Sequence, residues 1–170
     1  MANQGCAVAA LALVLASVFV APAAATERMV GSFLVTEEED PFSKQRRHIV
    51  ATVARGGHVA LAFRCFGHDL SIVLVVGREG HGFEAGDAVA VEWVADSGEV
   101  RRLRGSFFGD TLIGFDGDPD QGAVLAAAIA ASQLAFRYAD ELGSVETVQF
   151  SMKKSGAALA ALTRDCTTTP

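Results

Sequence analysis

The sequence predicts one α+β domain, mostly antiparallel β-sheet or sandwich, with two helices packed on it. Three observations lead there. Residues 59–76 read as two strands joined by a tight turn at 66–69. Val59, Leu61, Phe63 and Cys65 alternate onto one face, while Ala60, Ala62 and Arg64 take the other. Short apolar runs bounded by Gly, Pro and Asp recur along the chain, which is the pattern of hairpins. Helical spacing appears in two places only, at 118–132 and 155–164.

The chain opens with an apolar segment from Cys6 to Ala25, and no charged side chain precedes Glu27. It ends in Pro22-Ala23-Ala24-Ala25, with small residues where a signal peptidase cuts. Residues 1–25 are therefore expected to be a secretory signal and 26–170 a single domain. The alternative is an uncleaved anchor, since about 20 apolar residues just span a bilayer. Cys6 stands ahead of the apolar core of this segment and not after it, the wrong place for a lipoprotein cysteine.

Residues 26–30 read as a short lead and 31–36 as a first strand. Glu37, Glu38, Glu39, Asp40 and Pro41 read as a charged turn, with Pro41 blocking the strand. Lys44, Arg46, Arg47 and His48 form a basic cluster before strand 49–53, balancing those acids or meeting an anionic partner. Arg55-Gly56-Gly57-His58 is a hairpin turn whose glycines suit a positive φ. After strand 70–76, apolar on both sides, comes a loop over 77–87 with Gly77, Gly80, Gly82 and Gly86. Strand 88–94 puts Val89, Val91 and Trp93 on one face. Asp96-Ser97-Gly98 turns it into strand 99–104, where Glu92 can pair with an arginine. Gly105-Ser106 is read as a break before Phe107-Phe108, and 111–115 as another strand. Asp118, Pro119 and Gln121 fit N-cap, N1 and N3 of a capping box that starts an alanine-rich helix. Its apolar face is expected at Leu125, Ala128, Ile129 and Ser132, with Val124 beside it. Strands 134–138 and 145–150 follow, joined by a turn at 140–144. In the last helix Leu159, Leu162 and Cys166 share a face.

Export leaves two cysteines, Cys65 and Cys166, each placed inward by its own periodicity. An oxidising compartment then points to one disulfide between them; the alternative is two buried free thiols. The net charge of −6 argues against nucleic acid as partner.

No catalytic, cofactor-binding or metal residues emerge. Asp116, Asp118 and Asp120 resemble the start of a calcium loop, but Gln121 and Ala127 stand where Gly and Glu are required. His48, His58, His68 and His81 form no metal-type pair, and neither remaining cysteine lies in C-x-x-C. The glycines of 77–87 match no phosphate-binding spacing, and Ser106 sits one place early for a nucleophile elbow.

Four segments carry a resemblance: the first strand running into Glu39-Asp40-Pro41-Phe42; residues 59–75 with Arg64-Cys65; residues 125–140 with their Leu-x-Phe-Arg strand; and residues 145–166 ending on Cys166. In these the chain resembles the VasI-like family of exported proteins associated with bacterial type VI secretion. Phe33 stands where that family has Trp, and the 77–87 loop lacks its aromatic residues. The resemblance implies a periplasmic or secreted accessory protein without catalytic residues, whose partner is an envelope or secretion-system protein. The membrane is met only through the signal segment. The rival expectation is a small periplasmic enzyme or enzyme inhibitor, its site assembled from distant residues.

Overall fold

The computed structural model describes residues 25–76, 84–109, 111–115, 117–139 and 143–166. The expected signal segment, except Ala25, lies outside them. So do Asp116, His81 and residues 77–83 of the glycine-rich loop.

The strands are β1 (Thr26–Val30), β2 (Phe33–Glu39), β3 (Arg46–Val53), β4 (Val59–Phe66), β5 (Asp69–Val76), β6 (Ala88–Ala95), β7 (Arg101–Phe108), β8 (Leu112–Phe115), β9 (Gln133–Ala139) and β10 (Val145–Ser151). Helix α1 (Asp118–Ala130) lies between β8 and β9, and α2 (Ser155–Asp165) follows β10. All pairings are antiparallel. Of the two forms expected, the chain takes the single sheet rather than two separate ones, in the order β1-β2-β3-β4-β5-β8-β7-β6-β9-β10. The first five strands form a meander, while β6, β7 and β8 form a second one laid against β5. Helix α1 then carries the chain across to the far side of β6.

The sheet curls around one core. Phe33, Val50, Leu61, Phe63, Ile72 and Leu74 meet Val91, Phe107, Ile113, Phe136 and Phe150 there, with Val124, Ala128, Leu159 and Leu162 of the helices. Curling brings β10 toward the β3–β4 turn, where the Arg55 N–H donates to the Gln149 carbonyl at 3.0 Å. Trp93 lies in this core, as its alternation predicts.

Several elements depart from the sequence reading. Residues 26–30 are not a lead but an edge strand, folded back on β2 by a turn in which Gly31 takes φ 66°. Strand β2 runs on to Glu39, so Glu37 to Glu39 belong to the strand and not to a turn. Opposite charges make this tolerable: Arg28 meets Glu37 at 3.3 Å and Lys44 meets Glu39 at 3.8 Å. Arg46, Arg47 and His48 lie inside β3, where alternation separates the outward Arg47 from the inward His48. Gly105 does not break β7. A side chain there would meet the Gly114 carbonyl at 2.7 Å, so the glycine lets β8 approach a continuous strand.

The expected capping box is absent. The N-cap is Gly117, one residue earlier, with φ 84° and no side-chain cap. Gln121 instead turns inward and its Oε1 accepts the Ile72 N–H at 2.8 Å. Strand β8 pairs β5 only at Val73, Leu74 and Val75, so this amide takes over where the strand stops. The buried face of α1 is accordingly Gln121, Val124, Leu125 and Ala128, and Ile129 is left exposed.

Gln121→Leu is expected to strand the Ile72 N–H in the core and cost about 1–3 kcal/mol, read by urea unfolding. An unchanged midpoint would show that the bond carries no net stability.

Candidate functional site

The polar side chains that converge in this fold gather at one end of the sheet. Three pieces meet there: the β2–β3 turn, the β4–β5 turn and the C-terminal end of α2. The Gly67 N–H donates to the Arg46 carbonyl at 3.2 Å, which ties the two turns together. Gln45, Arg46, Gly67, His68, Arg164 and Asp165 line a cleft of about 350 Å³ between them.

Cys65 and Cys166 lie beneath this cleft. The structure places their sulfurs at disulfide distance, with Cα atoms 6.0 Å apart and a separation of 101 positions in sequence. Both are buried. The alternation of β4 and the face of α2 thus converge as the sequence predicts. His48 pairs with Cys65 across β3 and β4 and is only 2% exposed. Its Nε2–H donates to Asp165 Oδ2 at 2.8 Å, while Nδ1 is buried without a hydrogen-bond partner among the described residues. His68 donates from Nδ1 to the Asp165 carbonyl at 3.0 Å, satisfying a group at the helix end. Arg164 Nε donates to Asp165 Oδ1 at 2.9 Å. The Arg164 guanidinium, with a smaller contribution from His48, holds the Asp165 carboxyl below the usual carboxylate range against the opposing effect of burial.

This cluster has the parts of a catalytic dyad but not its access. The ring of His48 faces inward, and the neighbouring sulfur is paired with Cys166. Its chemistry is that of a clamp, fixing the end of α2 on β3 and β4. Among the described residues no three His, Cys, Asp or Glu side chains are grouped to hold a metal ion. His58, the other described histidine, meets Glu146 Oε1 through Nε2 at 3.0 Å on the opposite side of the hairpin.

The β2–β3 turn is built rigidly. Asp40 Oδ1 accepts the N–H groups of Phe42 and Ser43 at 2.9 and 2.8 Å. Asp40 Oδ2 accepts from Arg47 at 3.0 Å. The Asp40 backbone exchanges bonds with Gln45 and Lys44 at 2.9 and 2.8 Å. Pro41 fixes one φ, and Lys44 closes the turn in the left-handed region at φ 58°. At its tip Phe42 is 95% exposed. Sequence reading passed over Phe42 as a turn residue. The signal was there in Asp-Pro-Phe-Ser, since an aspartate two and three places before free N–H groups makes an Asx turn.

The 77–87 loop is described only at its end, from Glu84 to Asp87. There Gly86 and Phe107 join it to β7 through backbone bonds of 2.8 Å to the Phe107 carbonyl and 3.0 Å to the Asp87 carbonyl. Glu92 meets Arg102 Nε at 3.1 Å and Arg137 Nε at 2.8 Å, the cross-strand pairing expected of it. The two guanidiniums, Arg137 foremost, hold its carboxyl below the ordinary range. No described helix is long and apolar enough to cross a membrane. Searches against protein-family models, curated proteins and solved structures find no match to this chain.

Two outcomes follow from this geometry. Cys166→Ala is expected to lower the melting temperature and loosen α2 first; closing a loop of about 100 residues is worth up to about 4.7 kcal/mol in the chain-entropy model. Peptide mapping of the purified protein under denaturing, non-reducing conditions checks the pairing, because free thiols at both positions would refute it.

Asp40 supplies a pH dependence. The Phe42 and Ser43 amides, Ser43 first, hold its folded carboxyl below the unfolded value. The stabilisation is therefore complete above the unfolded pKa and is lost as pH falls through the lower, folded one. Amide exchange at Phe42 and Ser43 should quicken over that acid window, and Asp40→Asn should shift or remove the step.

Proposed function

We propose that the chain is an exported, non-enzymatic accessory protein that binds another protein of the cell envelope. The observation that carries this reading is Phe42, 95% exposed on a turn already held in shape. Large aromatic side chains on ordered turns are the usual anchors of interfaces, because little freedom is lost when they dock. The cleft beside it, with Arg46, His68 and Arg164 on its wall, provides polar contacts around such an anchor. The cysteine pair at disulfide distance and the apolar N-terminal segment support export to the periplasm or beyond. The resemblance to the VasI-like family supports a type VI secretion component as that partner.

Phe42→Ser tests the anchor. It should leave the melting temperature unchanged and weaken partner binding by about 2 kcal/mol, roughly 30-fold in Kd. A deletion strain complemented with this variant should secrete poorly. Full secretion in the deletion strain itself would remove the type VI role. Turnover of a cell-wall substrate by the purified protein would favour the enzyme instead.

A further inference from the structure

The basic cluster at 44–48 either balances the neighbouring acids or meets an anion, and the structure divides its members between the two. Lys44 stands 3.8 Å from Glu39, Arg47 meets Asp40 at 3.0 Å, and His48 is buried on Asp165 at 2.8 Å. Arg46 is the remainder. Glu39 lies across the ladder from it, yet among the described residues no carboxylate comes within ion-pair distance of the Arg46 guanidinium. Arg46 lines the cleft of about 350 Å³ together with Arg164 and His68. Arg164 spends its Nε–H and one terminal N–H on Asp165, at 2.9 and 3.5 Å, and keeps the rest of its fork. The acceptor side of the cleft is already used. Asp165 carries His48 on one oxygen and Arg164 on the other. The cleft thus holds cationic donors in excess of its acceptors.

From this excess we infer that the cleft binds a carboxylate of the protein partner, an Asp or Glu side chain at the rim of the pocket that receives Phe42. The inference rests on the binding role proposed above and adds the chemistry that the partner must present. Charge favours a carboxylate. Two guanidiniums against one carboxylate leave the cleft with about one positive charge, too little for a phosphate of close to two negative charges. That positive spot stands on a chain of net charge −6. A planar guanidinium also meets a carboxylate through two parallel hydrogen bonds. The walls are already fixed, by the Gly67 N–H on the Arg46 carbonyl at 3.2 Å and His68 Nδ1 on the Asp165 carbonyl at 3.0 Å, so little ordering is left to binding. Spacing joins the site to the anchor. Phe42 and Arg46 lie in one turn closed by the Asp40 N–H on the Gln45 carbonyl, and four positions span at most about 14 Å. A membrane suits this end less well, because Glu38 and Glu39 are exposed on the same hairpin and would be pressed against anionic headgroups. His68 adds a condition. With Nδ1–H committed, a neutral ring offers only a lone pair at Nε2, whereas the protonated ring offers a second donor. Arg46, Arg164 and Asp165 share the cleft with it, and Asp69 follows it in the chain. Carboxylate binding therefore tightens as pH falls and His68 takes up its proton.

The probe is N-acetyl-aspartate N-methylamide, which carries one carboxylate, with the asparagine compound as its uncharged control. Binding is read from the Nε–H resonances of Arg46 and Arg164 in the purified protein. The aspartate compound should shift both saturably, with a Kd of about 1–10 mM at about 20 mM salt, and the asparagine compound should shift neither. Arg46→Gln should weaken binding by about five-fold or more at an unchanged melting temperature. Affinity should rise about three-fold between about pH 7.5 and about pH 5.5. His68→Asn, which keeps a donor for the Asp165 carbonyl but does not titrate, should lose that rise. Phe42→Ser should bind the probe as the wild type does, so failure of the aromatic anchor and failure of the carboxylate site are read separately. Four results would each overturn the inference: equal response to the two compounds; indifference to Arg46→Gln; inorganic phosphate bound about ten-fold tighter than the aspartate compound, which would give the cleft to phosphate; or pelleting with phosphatidylserine vesicles that Arg46→Gln abolishes, which would give it to a membrane.

Discussion

The attachment of the end of α2 to the middle of the first meander organises this structure. Cys166 reaches Cys65 of β4 and, one residue earlier, Asp165 reaches His48 of β3. The two anchor strands are neighbours, and His48 and Cys65 are directly paired on them. Covalent and polar ties therefore act at one point and reinforce each other. The consequence is topological. The chain has crossed to β9 and β10 at the far edge of the sheet before α2 begins, and α2 must come back to β3 and β4. That return closes the fold, because it seats Leu159 and Leu162 over residues contributed by the first strands. It also explains a buried histidine. Its hydrogen bond to the carboxylate compensates in part for burying the imidazole, and Arg164 shares the charge of Asp165.

Strand periodicity made most of this legible beforehand. The alternation in 59–65 identified the face that carries Cys65, and helical spacing identified the face of Cys166; two local patterns thereby located a contact between residues 101 positions apart. What escaped was whatever depends on a partner elsewhere in the chain. Gln121 has the local credentials of a capping residue, yet an unpaired strand N–H at Ile72 outbids the helix terminus for its carbonyl. Gly105 has the credentials of a breaker, yet it serves a neighbouring strand that must come close. Residues 26–30 are polar and short, so nothing in them announces a strand; β2 supplies the pairing. The candidate site was legible in part. The cysteines were found, whereas His48 looked like one more charge in a basic run, because its burial is decided by β4 and α2 rather than by its neighbours in sequence.

The two halves of the outer surface handle exposure differently. On β6, β7 and β9 the outward positions include charges: Glu92 stands between Arg102 and Arg137 on the flanking strands. Charge on an exposed sheet face discourages unwanted pairing and packing. Along the middle of β3, β4 and β5 the outward positions are Ala51, Ala60, Ala62, Val73 and Val75, of which Ala62 and Val73 are buried. The same alternation that builds the core thus builds a second apolar surface there, and Arg64, bonded to Ser71 at 2.9 Å, marks its border. Such a face is invisible when strands are read singly, since each contributes only one or two small residues. It emerges from the register, which sets those residues side by side across six strands.

The β2–β3 turn and this outer face obey opposite rules, and that contrast bears on function. The turn spends its polar groups on itself: Asp40 satisfies two amides and one guanidinium, which leaves Phe42 displayed with nothing around it to cover. A lone aromatic on a rigid support suits a partner that brings its own pocket. The outer face of β1–β5 displays its large side chains at the flank, at Met29 and Leu34, while Ala62 and Val73 at its middle are already covered.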